Sequence, residues 1–147
     1  MKSVYDAATR DELVARIRLL AETSHALWGK MTVFQMLKHC SLWEEMVLNE
    51  KKYKRAFIGR LFGKMALRKV LKDEKPLMRN SPSIPDLIIT ENGSVPLQKE
   101  KWIALIGQYG GKFDPDFVHP FFGKMTKEQI GWMAYKHADH HLRQFAC

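Results

Sequence analysis

Cysteine is scarce in this chain of 147 residues, with only Cys40 and Cys147 present. Two thiols this far apart make no zinc-ribbon or disulfide pattern, so both are expected to be reduced. Cys147 ends the sequence and reads as a free surface thiol. No apolar run approaches the roughly 20 residues that a membrane span needs. Met1 to Arg10 is mixed and polar, which does not read as a secretory signal. Together these point to a cytoplasmic protein. Strand-like alternation is missing, as are low-complexity tracts and any composition shift that would mark a second domain. A hydrophobic share of 46% and a charged share of 27% suit one globular domain spanning 1–147.

Acidic residues are missing from one stretch. Lys51, Lys52, Lys54, Arg55, Arg60, Lys64, Arg68, Lys69 and Lys72 follow one another with no Asp or Glu among them. The rest of the chain holds 15 basic residues against 16 acidic, so the net charge of +8 belongs to one segment.

Helical signals fill most of the remainder. Thr9-Arg10-Asp11-Glu12 has the form of a capping box and predicts a helix over 10–24. Leu13, Val14, Ile17, Leu20, Ala21 and Ser24 lie at its apolar spacing. Thr32-Val33-Phe34-Gln35 predicts a second helix to Asn49, with Met36, His39, Cys40, Trp43, Met46 and Val47 on one stripe. The basic stretch 52–73 is amphipathic, with Phe57, Ile58, Leu61, Phe62 and Met65 on one side; Gly59 and Gly63 weaken it and predict a break. Residues 74–94 hold three prolines and predict a long loop, with a short extended piece at Leu87-Ile88-Ile89. Pro96 suits the start of a helix that buries Trp102, Leu105, Ile106 and Tyr109 and stops at Gly110-Gly111. Thr126-Lys127-Glu128-Gln129 opens a last helix to Phe145, whose stripe is Ile130, Met133, Ala134, His137, His141 and Phe145. The expected class is all-α: four bundle helices, an additional basic helix and a long loop.

One internal echo is present. Gly29-Lys30-Met31-Thr32-x-x-Gln35 parallels Gly123-Lys124-Met125-Thr126-x-x-Gln129. Chance and a pseudo-symmetric bundle both account for it.

Histidines carry the candidate chemistry. His137 and His141 are four residues apart and so neighbours on one helix face, about 5–6 Å between Cβ atoms. His39 sits on the apolar stripe of another helix. Three neutral imidazoles can hold zinc or nickel and leave a coordination position vacant. The alternative is three core histidines satisfied by ordinary hydrogen bonds. No Glu lies between His137 and His141, which argues against a metalloprotease helix. His140 competes with His141 as a ligand. His119, in a His-Pro turn, is expected to pack rather than ligate. Asp139 and Arg143 are spaced for an exposed salt bridge on the far face. Gln35 and Gln144, each near a histidine, and Trp43, one turn after His39, are candidates for lining the site.

The segment Tyr135-Lys136-His137-Ala138-Asp139-His140-His141-Leu142-Arg143-Gln144-Phe145 resembles the closing helix of the DinB/YfiT-like metalloenzyme superfamily. His119-Pro120-Phe121-Phe122-Gly123-Lys124-Met125-Thr126 is similar to one uncharacterised branch of it, the domain of unknown function 1569. Trp28-Gly29-Lys30-Met31-Thr32 and Gln35-Met36-Leu37-Lys38-His39-Cys40 match that branch's other segment. The likeness is weak over 50–95. It implies a four-helix bundle in which His39, His137 and His141 hold a divalent metal. Better-known relatives include transferases and isomerases that use small thiols, which implies activation of a metal-bound thiolate toward an electrophile. A metal-dependent thiol S-transferase or hydrolase is one expectation; a non-catalytic metal-binding or interaction module is the other. The partners that follow are a small thiol or other anionic small molecule, with a homodimer allowed.

The basic helix has three readings: a solvated face, an attractor of anionic ligands toward the pocket, or a surface for nucleic acid or anionic membrane. Its aromatics, with Tyr53, fall at core spacing and no nucleic-acid motif accompanies the charge. No specific nucleic-acid binding is expected.

Overall fold

A computed structural model describes residues 1–147. In chain order the elements are α1 (Ala7–Leu19), α2 (Val33–Val47), α3 (Phe57–Val70), a 3-10 turn (Pro85–Leu87), α4 (Val95–Gln108), β1 (Val118–His119), β2 (Gly123–Lys124) and α5 (Lys127–Gln144). The chain is mostly helical, in keeping with the all-α class. β1 and β2 form a small antiparallel ladder pairing Val118 with Lys124 and His119 with Gly123. No helix is long and apolar enough to cross a membrane.

α2 packs against α4 and α5, and α1 closes the same core from its other side against α4 and α5. Leu13 and Ile17 of α1, Met36 and Leu37 of α2, Trp102 and Ile106 of α4, and Ala134 and Leu142 of α5 are fully buried there. These side chains recur at helical spacing, and their removal from water is the main force holding the helices together.

The internal echo is a repeated helix start. Gly29 and Gly123 both take the left-handed region, at φ 79° and 80°. Each turns the chain so that the threonine three residues on can cap. The Thr32 hydroxyl accepts from the Gln35 amide while the Gln35 side chain accepts from the Thr32 amide; Thr126 and Gln129 repeat this reciprocal pair.

The first helix departs from expectation. Its N-cap is Asp6, and the Arg10 amide already donates to the Asp6 carbonyl at 3.1 Å. Thr9 therefore lies inside the helix, buried, and caps nothing. The helix also ends at Leu19, because Leu20 turns extended to reach the core and Ala21–Ser24 form a separate turn. Of the extended piece expected at 87–89, Leu87 instead closes the 3-10 turn and is buried, while Ile88 is extended but pairs in no strand.

α3 corrects two further expectations. It is unbroken, and its apolar side faces outward. Phe57, Ile58, Leu61 and Met65 are 63–75% exposed and Phe62 is 50% exposed. The buried side is Gly59, Gly63 and Leu67. A Cβ at Gly63 would stand 2.0 Å from the Phe121 carbonyl oxygen, and one at Gly59 2.5 Å from it. The glycines let the helix backbone lie directly on the 120–122 backbone, so the small residues define the inner face. Ala56 and Arg55 donate to the Pro120 carbonyl at the start of α3. At its other end Lys136 of α5 donates to the carbonyls of Val70 and Asp73.

Asp139 is also buried rather than on an exposed far face. It accepts from Arg16 Nη1 at 2.9 Å and Arg143 Nε at 2.7 Å, tying α1 to α5. Cys147 is a free thiol as expected, but half-buried rather than fully at the surface; its carbonyl accepts from Arg16.

Candidate metal centre

α2 and α5 bring His39, His137 and His141 together. All three are buried, and one ring nitrogen from each lies within 4.8 Å of the others. His39 Nε2 and His137 Nε2 lie 3.1 Å apart, within hydrogen-bond distance. Two donors on one tetrahedral zinc, each at ~2.0–2.1 Å, stand about 3.3–3.4 Å apart, so this pair is spaced for one ion. The α5 spacing sets two rings on successive turns, and the capping boxes fix where both helices begin.

Hydrogen bonds determine which nitrogens face inward. His39 Nδ1 lies 2.9 Å from the Leu87 carbonyl oxygen. A carbonyl can only accept, so Nδ1 carries the proton and Nε2 presents a lone pair. Gln144 Nε2 donates to the Trp28 carbonyl at 2.7 Å, which turns Gln144 Oε1 toward His141 Nδ1 at 2.9 Å. His141 is thereby fixed in the same tautomer. Second partners of this kind orient metal-binding imidazoles and raise their basicity. His137 Nδ1 is buried with no partner. Its ring is held instead by stacking on Trp43, centroids 4.7 Å apart and planes 20° from parallel.

Protons are poor occupants of this space. Burial pushes His39 below the ordinary imidazole range. His137 falls well below it through burial and then through repulsion from His141 and His39. His141 is pushed down to about 3, again chiefly by burial. Three neutral bases thus converge where water cannot stabilise three positive charges.

The remaining candidates separate. His140 is only half-buried and stays outside the cluster, edge-on to His141 and to Trp28. His119 packs in its turn: its Nδ1 accepts from the amides of Phe121 and Phe122, and burial pushes it down to about 3. Gln35 is a cap residue, whereas Gln144 touches the site. Two supports escaped the sequence reading. The Leu87 carbonyl is backbone and has no residue-type signature; the Trp28 carbonyl, which orients Gln144, is hidden for the same reason. His140, Trp28, Leu77, Arg79 and Arg143 border a cavity of about 210 Å³, which none of the three clustered histidines lines and which His140 separates from His141.

Residues 5–147 match the family described as Protein of unknown function (DUF1569). The chain belongs to that family. No curated protein and no solved structure matches it. For this DUF1569 member the histidine cluster, rather than a relative's activity, carries the functional argument. The three buried acids are already engaged, Glu45 by Lys51 and Lys101. Asp139 is held by two arginines. Glu44 accepts from the Tyr109 hydroxyl and from Trp102 Nε1. None of the three carboxylates is free beside the rings to act as a general base.

Proposed function

We propose that this DUF1569 protein binds one divalent ion, zinc or nickel, through the Nε2 atoms of His39, His137 and His141. The observation that carries the reading is the tautomer pattern. His39 and His141 have their Nδ1 protons committed to oxygen acceptors, so both direct Nε2 lone pairs into the space shared with His137. A buried cluster of facing lone pairs is satisfied by a cation, and burial disfavours the proton. The arrangement supports kinship with the DinB/YfiT-like metalloenzymes, with α1, α2, α4 and α5 as the four bundle helices.

On three neutral ligands a bound ion keeps its full charge and would lower the pKa of a thiol or water coordinated beside it. The protein's own contribution is orientation. Leu87 and Gln144 hold two rings, Trp43 stacks on the third, and Arg79 and Arg143 line the cavity beyond His140 with positive charge. An anionic small molecule, such as an acidic thiol, is the ligand class that such a cavity favours. Thiol S-transfer is the enzymatic reading. A non-catalytic metal-binding module is the second reading, favoured by the absence of a free carboxylate at the cluster.

Purified protein should hold about one equivalent of metal by elemental analysis. Cobalt-substituted protein separates the two readings. A change in its absorption with a small thiol or azide supports the open, thiol-activating site; an unchanged spectrum leaves the closed module. Equal metal content in the wild type and the His137→Ala, His141→Ala double variant would sink the proposal altogether.

A further inference from the structure

Independently of the histidine cluster, the outward face of α3 has no partner within the chain. At 100° per residue, Phe57, Leu61, Met65, Ile58 and Phe62 occupy a continuous arc of about 140°. All five are half exposed or more. Scattered exposed apolar side chains are ordinary; five on one arc of one helix are not. The arc is opposite Gly59 and Gly63, whose close seating on Phe121 prevents the helix from rolling its apolar side inward. In the last turn the same arc continues into Arg68 and Lys69; Lys72 follows just beyond the helix end, and Arg60 lies on the helix flank. These four cations are exposed and pair with no acid.

We propose that α3 docks on the surface of an anionic lipid bilayer, lying in the headgroup plane with its apolar arc inserted. Charge selects this occupant. A second copy meeting the same face across a two-fold axis would set cations against cations, because 51–72 holds no acid. Nucleic acid would satisfy the cations and leave the apolar arc unburied. At a bilayer, Phe, Ile, Leu and Met reach the acyl boundary while long Lys and Arg side chains snorkel to lipid phosphates. The helix is about 21 Å long, sufficient for an interfacial helix.

Flotation of the full chain with vesicles tests this, comparing pure phosphatidylcholine with a mixture containing phosphatidylglycerol. The expected result is salt-sensitive binding to the anionic vesicles alone. Replacing two exposed arc residues, Leu61→Ser with Met65→Ser, should weaken binding by at least about tenfold. Arg68→Glu with Lys69→Glu should weaken it similarly, each lost cation counting about fivefold. Both variants keep the inner face, and an unchanged helical circular-dichroism signal and melting temperature report an intact fold. No binding to anionic vesicles at low salt overturns the proposal and directs attention to an acidic protein partner. Binding unaffected by the Leu61/Met65 change overturns insertion and leaves surface adsorption. A concentration-dependent dimer abolished by that change overturns the lipid in favour of a second copy.

Discussion

Among the buried polar groups of helix α2, His39 and Glu44 lie five residues apart, and their surroundings differ in kind. Glu44 is fully buried, and the Tyr109 hydroxyl and Trp102 indole each donate to it. That cluster sets one acceptor against two donors, and burial favours its protonated form. His39 faces two other bases, and its outward nitrogen is held by a carbonyl that keeps the inward one unprotonated. The contrast shows that burial of polar groups alone does not mark a ligand site. What distinguishes the histidines is that three imidazoles converge, two of them with their Nδ1 protons held by oxygen acceptors so that their Nε2 lone pairs point inward.

The largest effect that would break this contrast is on metal affinity. His137→Ala with His141→Ala removes two of three proposed ligands. Affinity should fall by more than about a hundredfold, since even supporting partners of metal ligands cost 10–100-fold when lost. Titration calorimetry with zinc reads this. Glu44→Gln should leave zinc affinity unchanged, and a comparable loss there would mean the two clusters act as one. Next in size is Gln144→Leu, which frees the His141 ring without touching a ligand. The expected loss is about 10–100-fold. An unchanged affinity would show that the ring is held by packing alone.

The two clusters should also respond to pH with opposite sign. Burial raises Glu44 to about 8, whereas an unfolded glutamate ionises near 4.5. Between those values the folded chain holds a proton that the unfolded chain releases. This contribution is full below 4.5 and is lost as pH rises through about 8. His141 is depressed to about 3 against an ordinary 6.5, so there the unfolded chain binds the extra proton. That contribution is full above 6.5 and is lost as pH falls toward 3. Glu44→Gln retains the geometry, its oxygen accepting from Trp102 while its amide donates to the Tyr109 oxygen. It should therefore raise stability at alkaline pH by about 1–3 kcal/mol and have little effect in mild acid. Denaturant melts of metal-free protein check both slopes. Identical alkaline slopes in wild type and variant would assign the effect to another group.

Much of the site could be read from residue order because its signals are local. Thr32 and Thr126 cap as their i, i+3 glutamines indicate, and the histidines lie on stripes that are buried as the spacing requires. The failures are equally physical. At α1 two overlapping starts competed, and the backbone bond from Arg10 to Asp6 won over the Thr9 side chain. On α3 the core spacing of the aromatics predicts an apolar inner face, but Gly59 and Gly63 permit a backbone approach that larger side chains would prevent. Hydropathy cannot rank a glycine face. Asp139 was read as a local pair with Arg143; Arg16, on another helix, is invisible to any pattern of nearby residues.

The smallest predicted effect concerns the repeated helix starts, because they launch the helices that carry the contrasting clusters. Thr32 and Thr126 cap with the same backbone geometry, ψ 165° in both, and with the same reciprocal glutamine. Replacing either by alanine leaves one amide of the first turn without its acceptor, a loss of about 1 kcal/mol. In a domain of this size that lowers Tm by about 2–4 °C. The two losses should add, because neither hydroxyl touches the other's helix start. Their effects on metal binding should differ less than their sequence positions suggest. His39 lies seven residues after Thr32, and His137 eleven after Thr126. Both distances exceed the first turn, where a lost cap is felt. Each single variant should therefore melt earlier yet bind zinc as the wild type does. If Thr32→Ala lost zinc while Thr126→Ala retained it, fraying would extend through two turns of α2 to His39. The start of α2 would then be part of the site's support, alongside Leu87 and Gln144.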